Sequence, residues 1–387
     1  MIVSLILVLL MASVVMFSVS TSTGLPAATA LYGIFLMYIF IRMTFAKDKD
    51  KSKYRRIFQT VYAVLFCISF IGILFDERGS MAITTEAMSN GEIPFCHIAI
   101  PQILTPLILT KEMIFPARVY GHYASISSML CIWFMFTLIL GRGWCSWACF
   151  YGGWEDGFSR LAKKRRLNFI SKNKEIRNFQ FAFLIFIVLV SLGEMAAVYC
   201  NWFCPFKTVT EYFPMTTIPG LIAGIMFIGL FLGLVVILPI LSRRRVQCST
   251  LCPFGAFASL TDKISVFRIR IDSEKCKGCM KCVNTCPFGA IDIKTIQDKK
   301  GAPELTCAKC GECIGVCEQK AISYAFRFQS KCTENAPKTK FGKGLERLLH
   351  PETLFRFAAF SFGAIMSSSF SIDAITRIMN KVISLFM

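Results

Sequence analysis

The sequence predicts an α-helical integral membrane bundle of about six transmembrane helices joined to a small α+β domain. Three observations predict it. Of the 387 residues, 55% are hydrophobic and the mean hydropathy is +0.56, too apolar for a soluble chain of this size. Apolar runs of roughly 20 residues, the length that crosses a bilayer, recur through the first two thirds. The last third turns polar and carries two dense cysteine runs.

The apolar runs fall at about 2–20, 26–46, 57–75, 123–141, 180–199 and 219–241. The first lacks a basic leader and passes straight into the second, so it reads as an uncleaved helix rather than a signal peptide. Lys47, Lys49, Lys51, Lys53, Arg55 and Arg56 follow the second run. The 142–179 loop holds Arg160, Lys163, Lys164, Arg165, Arg166, Lys172, Lys174 and Arg177, and Arg243, Arg244 and Arg245 close the sixth run. Segments 76–122 and 200–218 are poor in Lys and Arg. By the positive-inside bias the basic loops are cytoplasmic, both termini lie inside, and the polar domain faces the cytoplasm. The 93–119 segment is apolar but broken by Pro101, Pro106 and Pro116, which suits a re-entrant or interfacial piece better than a straight span. Residues 331–347 form a basic linker. An apolar stretch at 354–370 precedes an amphipathic one with Ile372, Ile375, Ile378, Met379, Val382 and Ile383 on one face, either a seventh span or a helix pair on the inner surface. The domains expected are therefore 1–262 in the membrane, 263–328 for the cysteine-rich domain, and 329–387 as linker and tail.

Cys276-x2-Cys279-x2-Cys282-x3-Cys286-Pro287 is followed by Cys307-x2-Cys310-x2-Cys313-x3-Cys317. In this spacing three thiolates wrap one [4Fe–4S] cube and the fourth crosses to its neighbour. Cys276, Cys279, Cys282 and Cys317 are assigned to one cluster, and Cys286, Cys307, Cys310 and Cys313 to the other, in a two-cluster bacterial ferredoxin-like domain. Zinc motifs use paired cysteines rather than runs of four. The formal charge of +19 comes with no nucleic-acid-binding signature, so the basic loops are read as contacts with anionic membrane lipid. Only His97, His122 and His350 are present, and no Cys-x-x-Cys-His motif points to haem.

Three Cys-x3-Cys pairs lie outside this domain: Cys145/Cys149, Cys200/Cys204 and Cys248/Cys252. On a helix this spacing sets both thiols on one face. By orientation Cys145/Cys149 and Cys248/Cys252 sit at the cytoplasmic edge, and together they offer the four thiolates of a third cluster. The alternative is ordinary buried cysteines. Cys-Pro-Phe-Gly-Ala at both 252–256 and 286–290 favours a ligating role for Cys252. Cys200/Cys204 falls at the outer end of the fifth run with Cys96 and His97, as an outer metal site or as a disulfide or idle thiols. Cys67 and Cys131 read as packing residues, and Trp144, Trp147, Trp154 and Trp202 as an interfacial belt. Glu194 near the outer end of the fifth run either handles protons or sits at headgroup level.

The segments GRGWCSWAC at 141–149 and CSTLCPFGA at 248–256, with the cluster runs at 276–317, resemble the NapH/NosR/CcoG type of polyferredoxin membrane proteins. The resemblance covers roughly 123–325. It implies roles for Cys145, Cys149, Cys248 and Cys252, a place in the bacterial inner membrane, redox partner proteins, and electron flow from quinol or another reduced donor through clusters to reductases or metal-centre maturation. The chain departs from that pattern at Phe150, where the first pair lacks its proline, and in the added pair Cys200/Cys204. A membrane electron relay, with quinone as a candidate carrier, is the expected function. A metal-ion (for example copper) reductase or maturation factor and a non-enzymatic redox sensor are the alternatives.

Overall fold

In the computed structural model, Pro26 opens the second helix at a position whose N–H would be unpaired in any case. The structure describes residues 2–76, 92–94, 97–111, 123–167, 174–210, 217–298, 300–328 and 349–386. The longer helices are α1 (Ile2–Ser20), α2 (Pro26–Phe45), α3 (Asp48–Asp76), α4 (Ile100–Thr110), α5 (Ile126–Ile139), α6 (Lys174–Glu194), α7 (Ile218–Leu230) and α8 (Pro351–Phe386). Asp48 and Asp50 in the first turn of α3 complement its dipole. A π-helical stretch, Phe231–Ile237, carries α7 on into Leu238–Ser242. The widening directly precedes Pro239, which cannot donate to the helical ladder.

Among the described residues, four helical segments are long and apolar enough to cross a membrane: Pro26–Phe45, Asp48–Gly72, Ile218–Ser242 and Pro351–Phe386. A fifth results if Leu130–Ile139 and Gly141–Trp147, bent by 103°, count as one broken span. The expectation of about six is thus met only in part. The runs at 2–20 and 180–199 form apolar helices below spanning length by the same measure. Gly141, at a φ of 52°, follows the end of α5, and a Cβ there would collide with the Asp262 carboxylate. The 93–119 segment holds a short helix, α4, with Pro101 and Pro106 buried. The tail is one helix of 36 residues, about 54 Å long, rather than a pair.

The chain forms two compact units, one from Met1–Ser69, Thr137–Gly153 and Thr261–Met387, the other from Phe70–Phe136 and Trp154–Leu260. In the first, α8 packs against α1 and α2 along a strip of small residues, Ala364, Ser367, Ser368 and Ser371. Small side chains let helix backbones approach closely. Ser18 Oγ donates to Ser368 Oγ at 2.6 Å, and Leu25 N to Thr376 Oγ1 at 3.1 Å. Lys51 bonds to Glu352 at 3.2 Å, Tyr62 donates to the Met366 carbonyl at 3.3 Å and Ser69 donates to Asp373 at 2.5 Å, so α8 runs alongside α3 in the same direction. At its start Phe355 is buried among Trp147, Phe267 and Tyr324. The last two belong to β3 (Phe267–Ile271) and β4 (Ile322–Phe326), an antiparallel pair with Phe267 opposite Phe326 and Ile271 opposite Ile322. The second unit contains α4, packed on α6. A small antiparallel pair joins β1 (Glu92–Pro94) to β2 (Tyr123–Ser125).

Candidate iron–sulfur centres

Between β3 and β4 the two cysteine runs make the same turn twice. Positive φ occurs at Gly278 (68°), Met280 (58°) and Gly289 (65°) in the first run, and at Lys309 (48°), Gly311 (78°) and Lys320 (49°) in the second. These sit at identical offsets from Cys276 and Cys307. Glycine alone adopts that conformation without strain, yet each run uses non-glycine residues at some of the positions, which the surrounding structure must hold in place.

Cys276, Cys279, Cys282 and Cys317 line one cavity of about 240 Å³, together with Ile296 and Ile322. These are the four residues that the spacing assigns to one cluster. Cys307, Cys310 and Cys313 all lie within electrostatic range of Cys286, matching the second assigned set. Burial pushes the Cys282 thiol up to about 11 and the Cys310 thiol up to about 12. Such thiols keep their protons until a metal displaces them. Ala321 N donates to Cys317 Sγ at 3.3 Å, the kind of bond that tunes a cluster ligand. Among the described residues no three His, Cys, Asp or Glu side chains converge on a point that would hold a single metal ion. A cubane instead spreads its four thiolates over four irons, and the residues present fit it.

Cys145 and Cys149 belong to the same unit and sit on a tight turn after the 103° bend. Gln59 Nε2 of α3 donates to both of their carbonyls at 3.0 Å. Arg55, one helical turn earlier, donates to Gln59 Oε1 at 3.0 Å and to the Ser146 carbonyl at 2.7 Å. Arg55 and Arg56 also pair with Glu312, at 3.4 and 2.7 Å, beside Cys313. Trp147 Nε1 donates to the Lys309 carbonyl at 3.1 Å. Lys309 lies between Cys307 and Cys310, and its buried ammonium contacts Asp262 at 2.8 Å, Ser265 Oγ at 2.7 Å and the Leu140 carbonyl at 3.1 Å. The turn carrying Cys145 and Cys149 is therefore fastened to the second cysteine run. Trp147, expected in an interfacial belt, is 2% exposed and serves as that fastening. No spacing rule foretold this, because Arg55, Gln59 and Trp147 meet only through the fold.

The second unit holds the other two pairs. Glu155 accepts from Gln247 N at 2.6 Å and from Cys248 N at 3.0 Å. Burial pushes its carboxyl up to about 7, opposed by Arg245 and by these hydrogen bonds. Gln247 Nε2 donates to the Tyr199 hydroxyl at 2.5 Å. The Tyr199 ring lies within electrostatic range of Cys200, Cys204, Cys248 and Cys252. Gln102 accepts from Tyr199 N at 2.9 Å and reaches Cys200 Sγ at 3.8 Å. His97 packs edge-on against Phe254, with ring centroids 4.8 Å apart. The sequence reading sets an outer Cys96/Cys200/Cys204 site apart from an edge site at Cys248/Cys252. Cys200 and Cys204 lie beside the 246–252 turn, because the chain reverses after α6, at Met195 with a φ of 45°, and does not travel on to a distant face. Cys96 lies outside the described residues. The expected edge set Cys145/Cys149/Cys248/Cys252 draws two members from each unit. Trp202 is exposed, as expected of a belt residue, while Trp144 is buried.

Two family models for 4Fe–4S binding domains match the chain. One covers residues 268–291, and the other matches three times, at 122–168, 179–214 and 224–272. Each of those three segments contains one Cys-x3-Cys pair. The ferredoxin-type protein NapH of Haemophilus influenzae is 28% identical over 200 residues, 50% of this chain and 66% of NapH. YccM of Escherichia coli, named for electron transport, is 24% identical over 216 residues, 54% of this chain and 58% of YccM. The methylamine utilization ferredoxin-type protein MauN of Methylobacillus flagellatus is 26% identical over 188 residues, 48% of this chain and 61% of MauN. The chain resembles the NapH-type polyferredoxins. It matches somewhat under two thirds of the length of each of these relatives. No solved structure matches it.

Proposed function

We propose that this chain is an iron–sulfur electron relay of the bacterial inner membrane. Cys276, Cys279, Cys282 and Cys317 hold one cubane, and Cys286, Cys307, Cys310 and Cys313 hold the second. The observation that carries the reading is the cavity lined by the first four of these cysteines, set in a turn that the second run repeats. When bound, each cluster supplies a one-electron carrier. The chain's own part is to hold the thiols in place, keep water away from Cys282, Cys286, Cys310 and Cys313, which are buried, and fasten the domain to the membrane helices. Trp147 and Glu312 make that last link, through Lys309 and through Arg55 and Arg56. Electrons would pass between a soluble or quinol donor and a membrane or outer-side acceptor, with redox partner proteins on either side. The hydrocarbon core is roughly 30 Å thick, so a further carrier, quinone or thiol-held, lies between. A metal-ion reductase with outward-facing thiols finds less support, because Cys200 and Cys204 are buried beside Gln247.

The test is Cys279→Ser in the full chain, purified anaerobically. Iron and sulfide should each fall by roughly four atoms per chain, with the helical content retained. Unchanged iron and sulfide would end the ligand assignment. Reduction of the clusters on adding a quinol would support the quinol donor, and reduction only by a soluble donor would remove it.

A further inference from the structure

We propose that Cys200, Cys204, Cys248 and Cys252 form one four-thiolate site that holds an iron–sulfur cubane within the second unit. The proposal rests on the iron–sulfur reading above and deepens it by regrouping the membrane-domain cysteines. The two pairs share more than their spacing. Each continues as Cys-Pro-Phe, at 204–206 and at 252–254, whereas Cys149 is followed by Phe150. Proline after the second cysteine withholds a backbone donor and turns the chain away.

The two turns are also held in matching ways. Tyr199 and Gln247 each stand one residue before the first cysteine of a pair, and their side chains hydrogen-bond to each other at 2.5 Å. The backbone N–H of each is taken by a buried side chain from another element: Gln102 Oε1 for Tyr199 at 2.9 Å, and Glu155 Oε1 for Gln247 at 2.6 Å. Two Cys-x3-Cys turns are thereby clamped to one another at equivalent positions, with all four cysteines buried. Donors point at the sulfurs, Gly255 N at Cys252 Sγ at 3.4 Å and Gln102 Nε2 at Cys200 Sγ at 3.8 Å. Cluster-ligating sulfurs accept such bonds, which help set the cluster potential. Gly255 is required for this approach, since a Cβ there would lie 2.8 Å from the Cys248 carbonyl. The regrouping leaves Cys145 and Cys149 outside this site, in the unit that holds the ferredoxin-like runs.

The experiment compares Cys204→Ser, Cys252→Ser, their double variant and Cys149→Ser in the full-length protein, purified anaerobically in detergent. Iron, sulfide and zinc are measured per chain, and paramagnetic resonance is recorded after reduction. Cys204→Ser and Cys252→Ser should each lose roughly four irons and four sulfides and the same resonance signal. The double variant should lose no more than either single one, and Cys149→Ser should keep that signal. A loss shared by Cys149→Ser and Cys252→Ser but absent from Cys204→Ser would overturn the grouping. So would stoichiometric zinc, or a Cys200–Cys204 disulfide found by mass spectrometry. Should a variant fail to insert, alkylation of the parent protein decides. The four cysteines should be protected together and become reactive together when iron is stripped, and independent release would overturn the site. Persistence of the ferredoxin-domain signals separates this failure from that of the broader reading, which falls if the parent protein binds no iron or sulfide.

Discussion

Trp147 and Glu155 carry the two strongest single-side-chain predictions. The Trp147 indole both fills space against Phe355 and donates to the Lys309 carbonyl. Trp147→Phe removes the hydrogen bond and part of the ring volume and should cost at least about 1 kcal/mol. Trp147→Ala also opens a cavity and should cost about 3–5 kcal/mol. Thermal unfolding in detergent, followed by loss of the visible iron–sulfur absorbance, would read the difference, and equal midpoints for all three proteins would show that the contact adds nothing. Glu155 makes a prediction of opposite character. Its carboxyl is pushed up to about 7, burial outweighing Arg245 and two backbone donors. A raised carboxyl pKa means that folding favours the protonated form. Stability from this group is therefore complete below the ordinary glutamate range and is lost as pH rises through about 7. Glu155→Gln should flatten the fall in unfolding temperature between about pH 5 and pH 8. A pH profile identical to the parent's would refute that assignment.

Among the elements, α8 depends most on fine fit. A Cβ on Gly363 would lie 2.7 Å from the Trp147 carbonyl and 2.9 Å from the Phe58 ring. Neither neighbour yields easily, because Phe58 is buried against Phe360 and Tyr62. Gly363→Leu should push α8 off the bundle and cost at least the roughly 1–3 kcal/mol typical of overpacking. A thermal midpoint within error of the parent's would mean that α8 docks more loosely than its contacts suggest. The repeated turn of the two cysteine runs is the other informative element. The spacing of its cysteines is local and was plain in the sequence. The left-handed positions at Met280, Lys309 and Lys320 were not, because no glycine marks them and only the surrounding packing holds them there.

For the arrangement of the helices, the first unit makes a testable statement about the chain's ends. Phe355 at the start of α8 touches the ferredoxin-like domain, while Thr376 reaches Leu25 at the α1–α2 turn. Arg42 and Tyr54, at the other ends of α2 and α3, bond to each other at 2.8 Å. The C-terminus thus lies at the opposite end of the α1–α2–α3 group from the cysteine runs. If α8 crosses the membrane, a label at residue 300 should be reached from the cytoplasm and a tag after Met387 from outside. Labelling of both from one side would place α8 on the surface or overturn the orientation. The basic loops and apolar runs point to both termini inside, with the tail either a seventh span or a surface element, and the two labels distinguish these arrangements of the 36-residue helix.

Cysteine spacing marked out the ferredoxin-like turns and is the basis of the proposed division into two ligand sets, since a loop of two or three residues constrains its own sulfurs. Apolar run length likewise determined that helices of membrane-crossing character exist. Which distant pair of cysteines faces which was a different matter. Gln102, Glu155, Tyr199 and Gln247 come from four separate segments, and their mutual hydrogen bonds arise only when the chain reverses after α6. Hydropathy registers how apolar a segment is, not where it turns back, so the partners of Cys200 and Cys204 and the fastening role of Trp147 came only from long-range packing.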